Sequence, residues 1–580
     1  MSIWISEELF RIAMSLYPVS TKTVEGVKWG YINSRGKLQI KPMFDQAMDF
    51  QKNGLAVVEV NGLNGLINHG GKYIVHPKYE MIAEFSEGRA PVIDHGNYKV
   101  IDENGRVITS KLYSFIGTYE GRRALFAETT ESGQYLYGYL DQQGNEVIPA
   151  KYLSANDFQN DKAVVQLAAN EYALINKNSK VLYTYPYPQV GNISDSLLPF
   201  KEIEDGKFGY IDIKGTIIIP PRYTFALPFE HGFAVVAITE DNNTLYGLIN
   251  KEGKYIFTPT YNDIHLLGKN RAAIGIAIKE GYPFYGSTYA LATTDGTILT
   301  EYKYRTIVDF KEGVASATPG TETFFIDKNG KAVKGFPVIK GEGTLSQEGE
   351  LIKANIDQRI SYYDRSGNVI WKQNRIIPLN QQVKVIEKKY KPNKDYLVYF
   401  PQIEGMINTK AQLNTNEQLK QLAQVKHIEP DVQLDFSYTG DFSIKFYKKH
   451  LLVIEIEGYE YPFGAAHGMP YRVYAHINIT DGDLYTLADL FKKDSGYVKV
   501  LSDLIAFQIE HDKQYLYVFP NSYKGISADQ PFYVDDEFLY IYFAPYEIGP
   551  YAAGFPTFKI PYKEIKSLIN PQGEFWKSYH

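Results

Sequence analysis

Lys28-Trp29-Gly30-Tyr31-Ile32-Asn33-Ser34-Arg35-Gly36 is a short apolar strand running into a four-residue phrase, Asn33 to Gly36, that reads as a turn. Asn or Asp at the first turn position accepts backbone amides, and glycine at the last tolerates left-handed backbone. The phrase returns at Asn68…Gly71, Asp102…Gly105, Asp141…Gly144, Asn176…Ser179, Asp212…Gly215, Asn250…Gly253, Thr293…Gly296, Asp327…Gly330 and Asp364…Gly367. The step between copies stays between 34 and 43 residues. A period of this size marks one supersecondary unit stacked many times.

Each unit holds more than the turn. A second strand runs through Pro42-Met43-Phe44, with counterparts at Pro77, Pro149, Pro221 and Pro259. Proline cannot donate to a ladder, which predicts a strand start or an outer edge for these segments. A third strand opens on glycine, as in Gly54-Leu55-Ala56-Val57-Val58 and Gly232-Phe233-Ala234-Val235-Val236. Three residues before the turn lies a small position (Gly30, Gly65, Gly138, Ala173, Gly209, Gly247, Ala290), usually preceded by an aromatic. The expectation is that each aromatic packs over a neighbour's glycine and so ties unit to unit.

The fold class is therefore mainly β: a tandem three-stranded repeat array, an open β-superhelix or propeller-like, with a closed ring as the alternative. The Trp29-Gly30-Tyr31-Ile32-Asn33 core, with Gly36 and Gly54-Leu55-Ala56-Val57-Val58, resembles the bacterial WG (KWG) repeat family over about residues 24–370. The resemblance implies β-rich repeats and a scaffolding or adhesive role, and no catalytic residues.

After Gly367 the phrase stops, and the charged stretch Lys384–Lys394 reads as a linker. Asn414-Thr415…Gln418 predicts a capped helix start, with strands around Ser443–Tyr447 and Leu451–Tyr459. Val498, Leu501, Leu504, Ile505 and Ile509 recur at helical spacing, strands follow at Phe538–Phe543 and Thr557–Ile560, and a short helix closes at Tyr562–Ile569. This is an α+β domain with a helix packed on an antiparallel sheet. The division expected is a short N-terminal helix in 1–22, the array of about ten units in 23–378, and the α+β domain in 384–580.

Two phrases in this last third are unusual: Gly464-Ala465-Ala466-His467-Gly468, and Phe543-Ala544-Pro545-Tyr546-Glu547-Ile548-Gly549-Pro550-Tyr551-Ala552-Ala553-Gly554. With Asp481-Gly482…Asp489-Leu490-Phe491 they resemble the DUF4163/DUF3298 module, over about residues 384–570. That module occurs in a lysozyme-sensing anti-sigma factor and beside a polysaccharide deacetylase domain, so the resemblance implies a binding or sensing role. His467, Tyr546, Glu547 and Tyr551 are the candidate ligand-binding residues. The bland reading is that His467 bonds a loop carbonyl, Glu547 caps loop amides, and Tyr546 and Tyr551 fill the sheet edge.

Composition excludes several functions. With 580 residues, a net charge of −6 and no basic stripe, nucleic-acid binding is not expected. The absence of cysteine removes disulfides, thiolate metal sites and cysteine nucleophiles. The histidines are scattered, the repeated turns offer one acid or amide each, and no phosphate loop or nucleophile elbow occurs, so neither metal nor cofactor is expected. No apolar run is long enough for a membrane span. Glu7, Glu8 and Arg11 interrupt Trp4–Leu16, which reads as an amphipathic helix and not a secretory signal. As written the chain is expected to be cytoplasmic, or extracytoplasmic if its natural start was trimmed. The reading is a non-enzymatic binding or sensing protein, its array a scaffold and its C-terminal module recognising a protein or cell-wall-related ligand. The alternatives are a glycan-processing enzyme with a carboxylate pair in a repeat groove, or an intracellular scaffold.

Overall fold

The computed structural model describes residues 15–580. They divide into two compact units: the residues up to Val19 with Trp29–Lys372, and Ser20–Lys28 with Gln373–His580. The helix expected over 4–16 falls almost wholly outside the described residues. Residues 17–22, assigned with it, belong instead to a strand, Tyr17–Thr23, whose first four residues are all buried.

The first unit consists of ten antiparallel sheets, seven of four strands and three of three. The first holds Tyr17–Thr23, Gly26–Ile32 and Leu38–Phe44, and the second Gln46–Ala47, Leu55–Val60, Leu63–Asn68 and Tyr73–Tyr79. The sequence unit and the sheet are therefore out of phase. The strand pair around a turn closes one sheet, and the glycine-led strand belongs to the next, where it follows a short opening strand such as Gln46–Ala47. The proline segments lie in the last strand of their sheets, as expected of a residue without an amide hydrogen.

The turn works as its residue types dictate. In eight copies the Asn or Asp side-chain oxygen accepts the amides two and four residues on, at 2.8–3.2 Å. Thr293 substitutes its hydroxyl, accepting from Thr297 N at 3.0 Å. The glycine sits at positive φ (76° at Gly36, 81° at Gly144), and Ser179 takes the same conformation at 62°.

That glycine also joins the sheets. A Cβ added to Gly144 would lie 2.6 Å from the carbonyl oxygen of Ile108 in the preceding sheet, and one on Gly105 would lie 3.2 Å from that of Ile74. Gly71, Gly253 and Gly296 sit likewise on Ile40, Ile219 and Ile256. Gly36 of the first sheet sits on Ile370 of the tenth, with the carbonyl oxygen 2.6 Å from an added Cβ. Ten core clusters fill the spaces between neighbouring sheets, and the last contains Tyr17, Val19 and Ile32 with Leu351 and Tyr362. Tyr362 donates to Pro18 O at 3.0 Å, and Lys353 pairs with Asp49 at 2.9 Å. Each sheet stays open rather than rolling into a barrel, while the tenth lies against the first. Of the three forms expected, open superhelix, propeller-like array and closed ring, these contacts describe a propeller-like array whose last sheet meets its first.

The small position before the turn has a different role from the one expected. Trp29 pairs with Phe44 but Tyr31 pairs with Ile40, so three residues face Gly30 across the ladder. The same bulge recurs opposite Gly65, Gly138, Gly209 and Gly247. An added Cβ on Gly30 or Gly209 would lie 2.7 Å from the nitrogen of Pro42 or Pro221, so the glycine makes room for its own sheet's bulged strand. Ala173 faces a regular ladder, paired with Thr184, and keeps its methyl. The aromatics that precede the glycine, such as Trp29, Tyr137 and Phe208, pack half-buried on the cores between sheets, and those that follow it are buried more deeply there. Tyr31, Tyr139 and Tyr210 are fully buried and donate to Met48, Asn156 and Leu227 carbonyls at 2.6–2.8 Å. Their rings lie 4.7–4.9 Å from Phe50, Phe158 and Phe229 of the next sheet.

The second unit is built on a six-stranded sheet in chain order, from Ile376–Pro378 to Met469–Asn478. The stretch expected as a linker is one of its strands, Lys384–Asn393, in which Val385 and Glu387 are buried. Glu387 receives the buried Lys22 ammonium at 2.8 Å. Tyr396–Glu404 and Phe436–Lys448 run parallel, joined through the helix Thr409–Leu422. That helix is capped by Asn408, whose oxygen accepts from Ala411 N at 3.0 Å. Thr415, expected near the cap, is interior and donates to Ala411 O at 2.9 Å. Strand Leu451–Pro462 is buried on both faces over Leu451–Ile454. Leu452, Ile454 and Ile456 join the core under Thr409–Leu422, while Leu451 and Val453 join the core of the helix Tyr497–His511 and the sheet Phe532–Val534, Phe538–Tyr542, Thr557–Pro561. Leu501 and Ile505 anchor that second helix, as their spacing predicts.

Gly133 and Gly144 share φ = 81°, but nothing lies within 4 Å of a Cβ on Gly133. Gly133→Ala is expected to lose about 1 kcal/mol, the cost of left-handed backbone. Gly144→Ala should lose a further ~1–3 kcal/mol because Ile108 must move. Denaturation midpoints of the two variants check this, and equal losses would refute the sheet-joining role.

Candidate ligand surface of the second unit

The two glycine-rich phrases meet. The first is the connection between Leu451–Pro462 and Met469–Asn478, and the second follows Phe538–Tyr542. Two long paired strands fix the first loop, with Tyr459 opposite Pro470 and Glu460 opposite Met469. Gly468 is required there, since an added Cβ would lie 2.7 Å from Cζ of Tyr459. Its amide donates to the Tyr459 hydroxyl at 2.8 Å.

In the second loop Glu547 turns back on its own chain, accepting from Ala544 N at 2.8 Å. This closes a tight turn that holds Tyr546 at φ = 68°, a left-handed conformation unusual for a bulky residue. Tyr546 is thereby directed outward, 51% exposed, with its hydroxyl 3.0 Å from Nε2 of His467. His467 Nδ1 lies 3.0 Å from Gly468 O. One neutral tautomer satisfies both contacts: Nδ1–H donates to the carbonyl and Nε2 accepts from the tyrosine. The Tyr551 ring lies 4.2 Å from the imidazole and 5.6 Å from Tyr546. A hydrogen bond with the Tyr459 hydroxyl raises the Tyr551 phenol above its ordinary range.

Three of the four candidate residues, His467, Tyr546 and Tyr551, thus share one exposed cluster. Glu547 shapes the loop from its own side, within hydrogen-bond reach of Ala544. Tyr459 completes the cluster and was missed as a site residue. Its signal lay in the register of a strand whose partner begins at Met469. The arrangement offers aromatic faces and hydroxyls without a carboxylate aimed at them, the chemistry of binding by stacking and hydrogen bonding.

His476, nine residues after His467, plays no part. It is 1% exposed, stacks on Phe532 at 4.2 Å, and its Nε2 has no hydrogen-bond partner. Burial alone pushes its imidazole down to about 3. Among the described residues no group of three His, Cys, Asp or Glu could hold a metal, and no helix is long and apolar enough to cross a membrane.

These features define a β-repeat array joined to an α+β module. More particularly, the chain carries WG containing repeats, matched over residues 29–63, 65–98, 137–168, 208–239 and 246–275, and a segment of the family described as protein of unknown function (DUF3298), matched over 488–563. The five matched repeats start at or beside the glycines that face the bulge. The DUF3298 match covers the helix Tyr497–His511 and the three-stranded sheet but not the six-stranded one. Among solved structures, a DUF3298 family protein from Bacteroides fragilis is 19% identical, with 33% of this chain and 93% of that chain covered and a TM-score of 0.25. One from Pseudomonas aeruginosa is 16% identical (33% and 95% covered, TM-score 0.26). BamB from Moraxella catarrhalis is 11% identical (61% and 95% covered, TM-score 0.26). No curated protein matches the chain.

Because His476 must stay neutral to remain buried while the unfolded chain takes up its proton near 6.5, the unfolded state binds more protons between those values. Stability from this residue is full above pH 6.5 and is lost as pH falls toward 3, at up to about 1.4 kcal/mol per pH unit. His476→Phe should flatten the acid limb of the second unit's unfolding midpoint against pH. An unchanged slope would contradict it.

Proposed function

We propose that the protein is a non-enzymatic binding or sensing protein. Its repeat array serves as a scaffold, and its C-terminal module recognises a protein or cell-wall-related ligand through the surface formed by Tyr459, His467, Tyr546 and Tyr551. One observation carries the reading: two loops remote in sequence place these rings together at the surface, with Tyr546 held left-handed to do so. Strain of this kind costs stability and collects where a side chain must be presented. Support also comes from the lack of cysteine and of a metal-binding cluster among the described residues.

Titration of the full chain with lysozyme and with soluble peptidoglycan fragments, followed by calorimetry, tests the reading. Binding of either is expected to weaken ~2- to 10-fold in Tyr551→Ala, the range of one aromatic stacking contact. Tyr546→Phe, which keeps the ring, should bind more tightly than Tyr546→Ala. Affinity indifferent to all three substitutions would remove this surface from the function.

A further inference from the structure

The first unit contains a cavity of about 790 Å³ between Leu227 and Glu348. Four consecutive sheets, the seventh to the tenth, contribute to it, mainly through their first strands and the loops after them. Its floor is apolar: Ile264, Ile307 and Leu345 line it and are each less than a tenth exposed. Its volume lies within the range of built small-molecule sites.

The charged groups around this floor are unequal. Glu230, Asp309, Glu312 and Glu348 line the cavity, against one lysine, Lys311, and one histidine, His265. His265 is already held from behind, its Nε2 2.7 Å from Asp263 Oδ2, and that carboxylate also accepts from the Tyr289 hydroxyl at 2.6 Å. The histidine's charge is therefore spoken for by a carboxylate outside the lining. Glu348 accepts a hydroxyl hydrogen bond from Ser346 at 2.8 Å. Four carboxylates over an apolar floor, opposed by one ammonium, favour a ligand with positive charge on a hydrocarbon body and reject anions.

From this geometry we infer that the cavity binds a small organic cation, one or more ammonium groups carried on an aliphatic stem. The stem would cover Ile264, Ile307 and Leu345 while the ammonium groups face Asp309 and Glu348. The inference is independent of the aromatic surface on the other unit and stands or falls separately from it.

Spermine added to the full chain, measured by calorimetry at low salt, is the test. Saturable binding of one spermine per chain is expected, with no heat from tetraethylene glycol, an uncharged chain of similar length. The double variant Asp309→Asn, Glu348→Gln should weaken binding at least ~10-fold, the effect of losing one good charge contact. Glu131→Gln, at the tip of a hairpin in the fourth sheet, should leave it unchanged. Methyl resonances of Ile264 and Ile307 should shift in the unsubstituted protein while that of Ile40 does not, a readout that needs no variant to fold. Absence of saturable binding, equal affinity in the double variant, or shifts spread over isoleucines of all sheets would each overturn the inference.

Discussion

A side-chain oxygen that accepts two backbone amides is the interaction on which the array rests. When Asp212 takes the amides of Lys214 and Thr216, both at 2.9 Å, the four-residue turn closes and Gly215 is driven to φ = 88°. The turn then presents a face with no side chain to the preceding sheet, where Tyr185 lies 3.4 Å from the position a Cβ would occupy. Local hydrogen bonding is thus converted into long-range packing. Each repeat need only form its own turn correctly for the neighbouring sheet to find a flat seat, a consistency between levels that favours one fold.

The second unit uses a different constraint for its candidate surface. Strand Leu451–Pro462 is buried on both faces in its first half and hydrogen-bonded to a neighbour on each side as far as Glu460, which fixes the path of its exposed end. The loop carrying His467 hangs from that end. Glu547 performs the matching task for the other loop by bonding Ala544 N, which leaves Tyr546 no choice but to face outward. Binding groups on loops need such a fixed frame if they are to be presented in one arrangement.

Much of this was legible in the residues, and the boundary is physical. The ten turns could be read because their chemistry is contained within five residues. The helix Tyr497–His511 could be read because Leu501 and Ile505 repeat at its period. What the turns do not encode is which strand joins which sheet, so the sequence unit was set out of phase with the sheets. The role of Gly30 was misjudged for a related reason: a bulge shows only when two strands are paired. Lys384–Asn393 looked like a linker because its charges dominate the composition, yet it alternates, with Val385 and Glu387 inward and Lys384 and Lys388 less buried. The convergence of His467, Tyr546 and Tyr551 depends on a contact across 79 residues, which spacing cannot disclose.

Gly36 meets Ile370 as Gly144 meets Ile108, so the junction between the first and tenth sheets is made with the same fitting as an internal one. A linear stack can gain or lose a copy and merely change length. Here an added or deleted copy would leave Gly36 without its partner and misplace Tyr17 against Tyr362. The number of copies is therefore fixed by the fit between the two ends of the array, whereas single substitutions within a copy, as at Ser179 and Thr293, leave that fit in place.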